Sequence, residues 1–283
     1  MNKENTENWD IVIEPKHSLL KLNLAEVWRY KDLLLMMIRR DFVTYYKQTI
    51  LGPIWFFIQP LLTTSTFTLI LGKVAKLSTD GKPDFLFYMA GITLWNYFAD
   101  CLHKTSTTFK DNQNIFGKVY FPRLVVPLSI VISNLLKFGI QYALFLIVLC
   151  IYWFRGESFC ISPFVLITPL LILLMATLSL GLGMIITSLT TKYRDLYFLI
   201  QFSIQLLMYG SSVIIPISMA PAKYVTLLKL NPIVPVIESF KAIYLGGTID
   251  WMGLGYSFIM SFFIFLIGII IFNKTEKNFM DTI

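Results

Sequence analysis

The sequence predicts an all-α integral membrane protein, and three observations carry that prediction. Of its 283 residues 56% are hydrophobic and only 14% are charged, whereas a soluble domain is about 25% charged. Long uncharged apolar stretches recur along the chain, and Lys and Arg gather in the segments between them. The formal charge of +7 therefore reads as membrane topology, because a nucleic-acid partner would need the basic residues on one face.

A helix that crosses the hydrocarbon needs about 20 mostly apolar residues. Cutting the sequence at its charged side chains gives six spans, near 53–72, 85–103, 132–154, 163–189, 196–216 and 254–272. With the N-terminus inside, sixteen of the 24 Lys and Arg fall on the cytoplasmic side, seven fall outside and Lys137 lies within the third span. The positive-inside rule then places both termini in the cytoplasm. Residues 1–21 form a polar cytoplasmic N-terminus without the apolar core of a signal peptide, so targeting is expected to fall to an internal segment. Residues 22–50 form an amphipathic interface helix and 51–283 a single transmembrane domain. No remaining piece is long enough to bury a core of its own.

In the interface helix, Leu24, Trp28, Leu35, Ile38, Phe42 and Tyr45 recur at helical spacing, flanked by Arg29, Lys31, Arg39, Arg40 and Lys47. Such a helix lies at the headgroup level, either as a plain anchor or also as a wall for a cytoplasmic partner or a substrate headgroup. Gly52-Pro53 ends it and starts the first span, because proline suits a first helical turn. Gln59-Pro60 inside that span predicts a kink, either packed or facing a channel, since it frees a backbone carbonyl and places an amide at membrane depth.

Two further segments are neither loop nor span. "KTSTTFKDNQNIFGKVYFPRLVVP", between spans two and three, carries Phe109, Ile115, Phe116, Val119 and Tyr120 on the cytoplasmic side. It is either a docking surface or a half-buried helix at the headgroup level. Residues 217–250 hold two apolar runs too short to span, punctuated by Pro232, Pro235 and Gly246-Gly247. These predict short re-entrant or interfacial helices.

Several chemistries are absent from the sequence. It has no GxxxxGK[ST] phosphate loop, no HExxH and no GxSxG. Cys101, Cys150 and Cys160 have no metal-ligand spacing, and His17 and His103 read as surface or interfacial side chains. No catalytic, cofactor or metal site is therefore expected, and the chain reads as a non-enzyme. Asp100 and Lys137 fall near the inner ends of spans two and three, where they either pair or each reach to the interface. Tyr88, Trp95 and Phe98 share one face of span two, and Trp55, Phe56, Phe202 and Tyr209 add rings in spans one and five. These rings serve either as a sliding surface for sugars or as interfacial belts. In span four, Thr177, Ser179, Gly181 and Gly183 predict a close helix contact.

Four stretches carry a family resemblance: "RRDFVTYYKQTILGPIWFFIQPLL" (39–62), "FGKVYFPRLVVPLS" (116–129), "YRDL" (193–196) and "NPIVPVIESFKAIY" (231–244). Together they resemble the permease subunit of type-2 ABC exporters of O-antigen, capsule and teichoic-acid polysaccharides. The resemblance implies a homodimer of permeases with two cytoplasmic ATPase subunits in the bacterial cytoplasmic membrane, and a lipid-linked glycan, undecaprenyl-borne, as substrate. It implies that ATP and Mg are handled by the partner and that no cofactor is held here. It makes 108–120 a coupling helix docked on the ATPase, and places short re-entrant helices after span five. Trp55, Phe56, Gln59, Tyr88, Trp95 and Phe98 become candidates to line the glycan path, and Asp100 and Lys137 a candidate intramembrane ion pair. The other readings are a type-2 permease for a drug or lipid, and a non-transporting scaffold of a polysaccharide synthesis complex.

Overall fold

The structure, a computed structural model, describes residues 24–44, 47, 52–116, 118–119, 121–157, 159–193 and 195–279. The regular secondary structure among them is helical. Short α1 (Leu24–Arg29) and α2 (Lys31–Thr44) are followed by a single tight turn at Gly52–Ile54 that runs into α3 (Trp55–Phe67). The corner expected at Gly52-Pro53 is present, with Gly52 at a φ of +53°, a conformation glycine adopts without penalty. The first hydrophobic segment continues past α3 as a wide π-type turn over Thr68–Val74.

Next come α4 (Asp84–Thr105), the short α5 (Thr108–Asp111) and α6 (Gln113–Phe116), then α7 (Val125–Phe154), α8 (Thr168–Lys192) and α9 (Leu196–Tyr209). Two short helices, α10 (Ala222–Lys229) and α11 (Ile233–Leu245), precede the last long one, α12 (Trp251–Phe279). Among the described residues four helical segments are long and apolar enough to cross a membrane: Gly52–Val74, Val125–Phe154, Pro163–Lys192 and Trp251–Glu276. The chain is thus built as a multi-pass membrane protein.

Two segments expected to span behave differently. Helix α4 is long enough, but Asn96 and Asp100 lower its hydropathy, and residues 86–95 are buried without a break. It lies in the middle of the bundle, packed by α3, α7, α8 and α11, so its surroundings are mostly protein. A helix that meets protein instead of lipid tolerates polar positions. Helix α9 stops at Tyr209, and 210–215 form a turn, so the helical part is 14 residues, about 21 Å, where the sequence alone runs on to 216.

The small residues of α8 do bring a neighbour close. A Cβ at Gly181 would sit 2.7 Å from the Cα of Phe265, and one at Gly268 would sit 2.6 Å from the Gly181 carbonyl oxygen. Helices α8 and α12 therefore touch backbone to backbone, the arrangement that small residues permit. Gly183 does the same toward Thr105 of α4, whose Cβ would be 2.5 Å away.

Gly268→Val is expected to cost about 3 kcal/mol, since the obstructing atoms are backbone and the helices must part. Thermal unfolding of the detergent-solubilised protein measures this; an unchanged midpoint would show that the contact does not hold the two helices.

Candidate functional site

The segment between α4 and α7 is fastened from within. The Phe109 ring is stacked on Phe272 of α12, with centroids 4.8 Å apart, and its backbone N–H donates to Thr187 Oγ1 of α8 at 3.2 Å. Phe116 packs between Phe109 and Phe121, and the Arg123 guanidinium lies over it at 5.5 Å. Arg123 also donates to the Glu276 carbonyl oxygen at 2.5 Å, reaching the end of α12. On α8, Thr190 Oγ1 donates to the Ser106 carbonyl at 3.0 Å. One aromatic cluster and three polar bonds thus join this segment to α8 and α12.

This arrangement alters the list of residues expected to face a partner. Phe109 and Phe116 are 1% and 5% exposed, so they anchor the segment and present nothing outward. Ile115 is half-buried and Val119 is 57% exposed; Tyr120 lies outside the described residues. The outward side chains are Lys110, Asp111, Gln113, Asn114, Lys118 and Val119. The sequence shows aromatic residues in a segment between two apolar runs but cannot show that the bundle has room for them. Lys110 also sits over the Tyr197 ring at 4.8 Å, and Gln201 bonds both Tyr197 Oη at 2.7 Å and His103 Nε2 at 3.0 Å. A polar chain therefore links the segment to the N-terminal half of α9.

Asp100 and Lys137 meet: Lys137 Nζ donates to Asp100 Oδ2 at 2.6 Å. The Asp100 side chain is 34% exposed and that of Lys137 11%, so the pair sits at the edge of the buried region. It ties α4 to α7.

The segment expected to form the interface helix, folded as α1 and α2, divides its apolar stripe between two faces. Val27, Met37 and Ile38 are buried, with Tyr30, Leu33 and Leu34 packed against the core beside them, and α2 lies along α7. Trp28 and Leu35 are 73% and 61% exposed and form the opposite face. Phe42 stacks on Phe56 at 5.9 Å; the side chains of Leu24 and Tyr45 lie outside the description. Between this helix and α4, Arg40, Asp41, Thr44 and Lys104 line a hollow of about 260 Å³. A groove of about 520 Å³ adjoins it, lined by Met36, Arg39, Val43 and Lys47 among others. Asp41 accepts from Arg40 at 2.8 Å.

Of the six path candidates, Tyr88, Trp95, Phe98 and Phe56 are at most 5% exposed and belong to the interior of a single chain. Trp55 and Gln59 are exposed, while Pro60 itself is buried. Phe202 and Tyr209 of α9 are likewise open, at 58% and 57%.

Sequence reasoning also missed a buried polar group. Lys241, counted from sequence among the outside charges, is 0% exposed. It donates to the carbonyls of Ser212 and Val213, lies 3.7 Å from the Glu238 carboxylate and rests on the Phe87 ring at 3.6 Å. The signal was present as Glu-x-x-Lys in an apolar dozen, a spacing that puts both charges on one helical face.

Lys137→Met alone is expected to cost about 2 kcal/mol, a buried-pair penalty reduced by the exposure of Asp100. Adding Asp100→Asn should recover more than half of that loss. Equal and additive losses in the double-mutant cycle would show that the pair contributes no coupling.

With this geometry in hand, comparison with known proteins is specific. Residues 32–245 match the ABC-2 type transporter membrane family. The chain is 25% identical over 263 residues to an O-antigen export system permease protein RfbA of Klebsiella pneumoniae, covering 93% of this chain and 98% of the relative. It is 26% identical over 225 residues to the protein of that name from Myxococcus xanthus, covering 78% and 83% of the two chains. To the polysialic acid transport protein KpsM of Escherichia coli it is 24% identical over 251 residues, covering 86% and 93%. A helical bundle with long apolar helices, matched over most of its length, belongs to the ABC-2 type transporter membrane family.

Proposed function

We propose that this chain is the permease subunit of an ATP-driven exporter that moves a lipid-linked polysaccharide of the O-antigen, capsule or teichoic-acid type across the bacterial cytoplasmic membrane. The observation that carries this reading is the near end-to-end match to permeases named for O-antigen export. In it the spans number six. Helix α4 supplies one, and α9 with the turn that follows supplies another. Both termini are cytoplasmic, and α10 and α11 lie on the outer side. Two copies of this chain act with two ATPase subunits, which bind ATP and Mg.

The physical reading of the parts follows from where they are fastened. A cytoplasmic ATPase meets Lys110, Asp111, Gln113, Asn114, Lys118 and Val119, the outward side of α5, α6 and the residues after them. Because Phe109 is stacked on Phe272 and bonded to Thr187, a push on this surface passes to α12 and α8 as a unit. The hollow with Arg40, Thr44 and Lys104, beside Arg39 and Lys47, offers charge-assisted hydrogen bonds to the diphosphate of a lipid-linked glycan. Trp55, Phe202 and Tyr209, open on α3 and α9, offer ring faces to sugars in transit.

Two measurements test this. In detergent, the chain should co-purify with an ATPase in a complex of two copies each, and added lipid-linked glycan should change the rate of hydrolysis; a lone chain that neither recruits nor regulates an ATPase contradicts the reading. Lys118→Glu with Val119→Asp should lower ATPase recovery at least tenfold without lowering the stability of the permease. Phe109→Ala should instead cost about 3 kcal/mol of stability through the lost ring contact. Unchanged recovery in the first variant removes the docking assignment.

A further inference from the structure

The turn after α9 is driven into the bundle. Ser211, Ser212, Val213 and Ile214 are all buried, yet no residue of α9 itself is buried. Helix α4 makes room for the turn with a glycine: a Cβ at Gly91 would sit 3.0 Å from the Val213 carbonyl oxygen and 3.3 Å from Lys241 Cε. Ser212 is held at a φ of +56°, a left-handed conformation that disfavours a non-glycine residue. Its hydroxyl lies within bonding reach of the Glu238 carboxylate and the Ile215 carbonyl.

Lys241 closes this arrangement from the other side. Its ammonium binds the carbonyls of Ser212 and Val213, buried backbone groups of a turn that has left the helical ladder and must find other partners. An ammonium is an expensive way to satisfy them. Burying it carries a large desolvation penalty, and a well-packed apolar residue at such a site is often neutral or stabilising. A buried charge is better attested as a device that selects one arrangement over another. Glu238 of its own helix balances the charge and Phe87 of α4 covers it, but both its carbonyl partners lie in one short turn, so its role concerns where that turn sits.

We infer that Lys241 is a positioning residue for export: it latches the turn at 210–215 shut against α4, and opening the outer end of the path requires Lys241 to release the carbonyls of Ser212 and Val213. This rests on the exporter reading and its orientation. The latch predicts that, without the ammonium, the turn leaves its seat in the absence of ATP while the rest of the bundle stays closed.

The test is thiol labelling of the full chain with its ATPase in intact cells, using a membrane-impermeant maleimide applied from outside. The chain carries Val213→Cys together with Cys150→Ser and Cys160→Ser, leaving the buried Cys101 as an internal reference. Lys241→Met should raise the labelling rate at Val213→Cys at least tenfold with Cys101 still unlabelled, and should uncouple ATP hydrolysis from export. A rate unchanged with the reagent applied from either side, the cytoplasmic side being reached in inverted vesicles, overturns the latch. Equal labelling of Cys101 overturns it too, because the lysine would then merely hold the fold. If Lys241→Met does not assemble, Ser212→Ala removes the hydroxyl from the same turn and should raise labelling about threefold; no change in that variant also overturns the proposal. Labelling that occurs only from the cytoplasmic side would refute the orientation and not the latch.

Discussion

In hydrocarbon, a backbone carbonyl that leaves its helix finds no water to bond, and that constraint decides where this chain can interrupt its helices. At the end of α9 the Asn231 side chain donates to the Gly210 carbonyl and to Ser211 Oγ, both at 3.0 Å, while its own oxygen accepts from the Ile233 N–H at 3.1 Å. One amide therefore caps the end of one helix and the start of another. Lys241 supplies the carbonyls immediately beyond. The turn, α11 and the glycine-notched face of α4 form one unit because none of them is satisfied alone.

The same logic explains why the segment between α4 and α7 is built from aromatic rings and the turn after α9 from polar side chains. After α4 the chain is already helical again within a few residues, so packing is the main requirement, and Phe109, Phe116, Phe121 and Phe272 meet it. Tyr142, Tyr244 and Thr168 form a further hydroxyl chain joining α7, α11 and α8, with Thr168 to Tyr244 at 2.8 Å. Buried hydroxyls in such a chain satisfy each other and fix the register of three helices.

Much of this was legible in the sequence. Apolar length and the Lys and Arg distribution identify the long helices. Gly52-Pro53 marks the corner, the short proline-broken runs mark α10 and α11, and the small residues of α8 mark its close partner. Packing direction was not legible. Phe109 and Tyr88 look like surface or path residues because periodicity cannot say which side of a central helix faces protein, and on α4 nearly every side does. Lys241 escaped for the same reason, since a lysine between two hydrophobic runs reads as a loop charge until the helix is known to be enclosed. The end of α9 was invisible as well: nothing between Leu206 and Ile215 breaks the apolar pattern except Gly210 and two serines.

The two-faced interface helix has one more consequence. Its inner face is joined to α7, and α7 to α4 through Lys137 and Asp100, while Trp28, Leu35 and Met36 present apolar surface on the outside of the helix. Such residues seek a fixed depth at the boundary between headgroups and acyl chains. A shift of α2 is therefore passed to α7 by packing and on to α4 by one ion pair. The depth at which that open apolar face settles is thereby mechanically linked to the centre of the bundle.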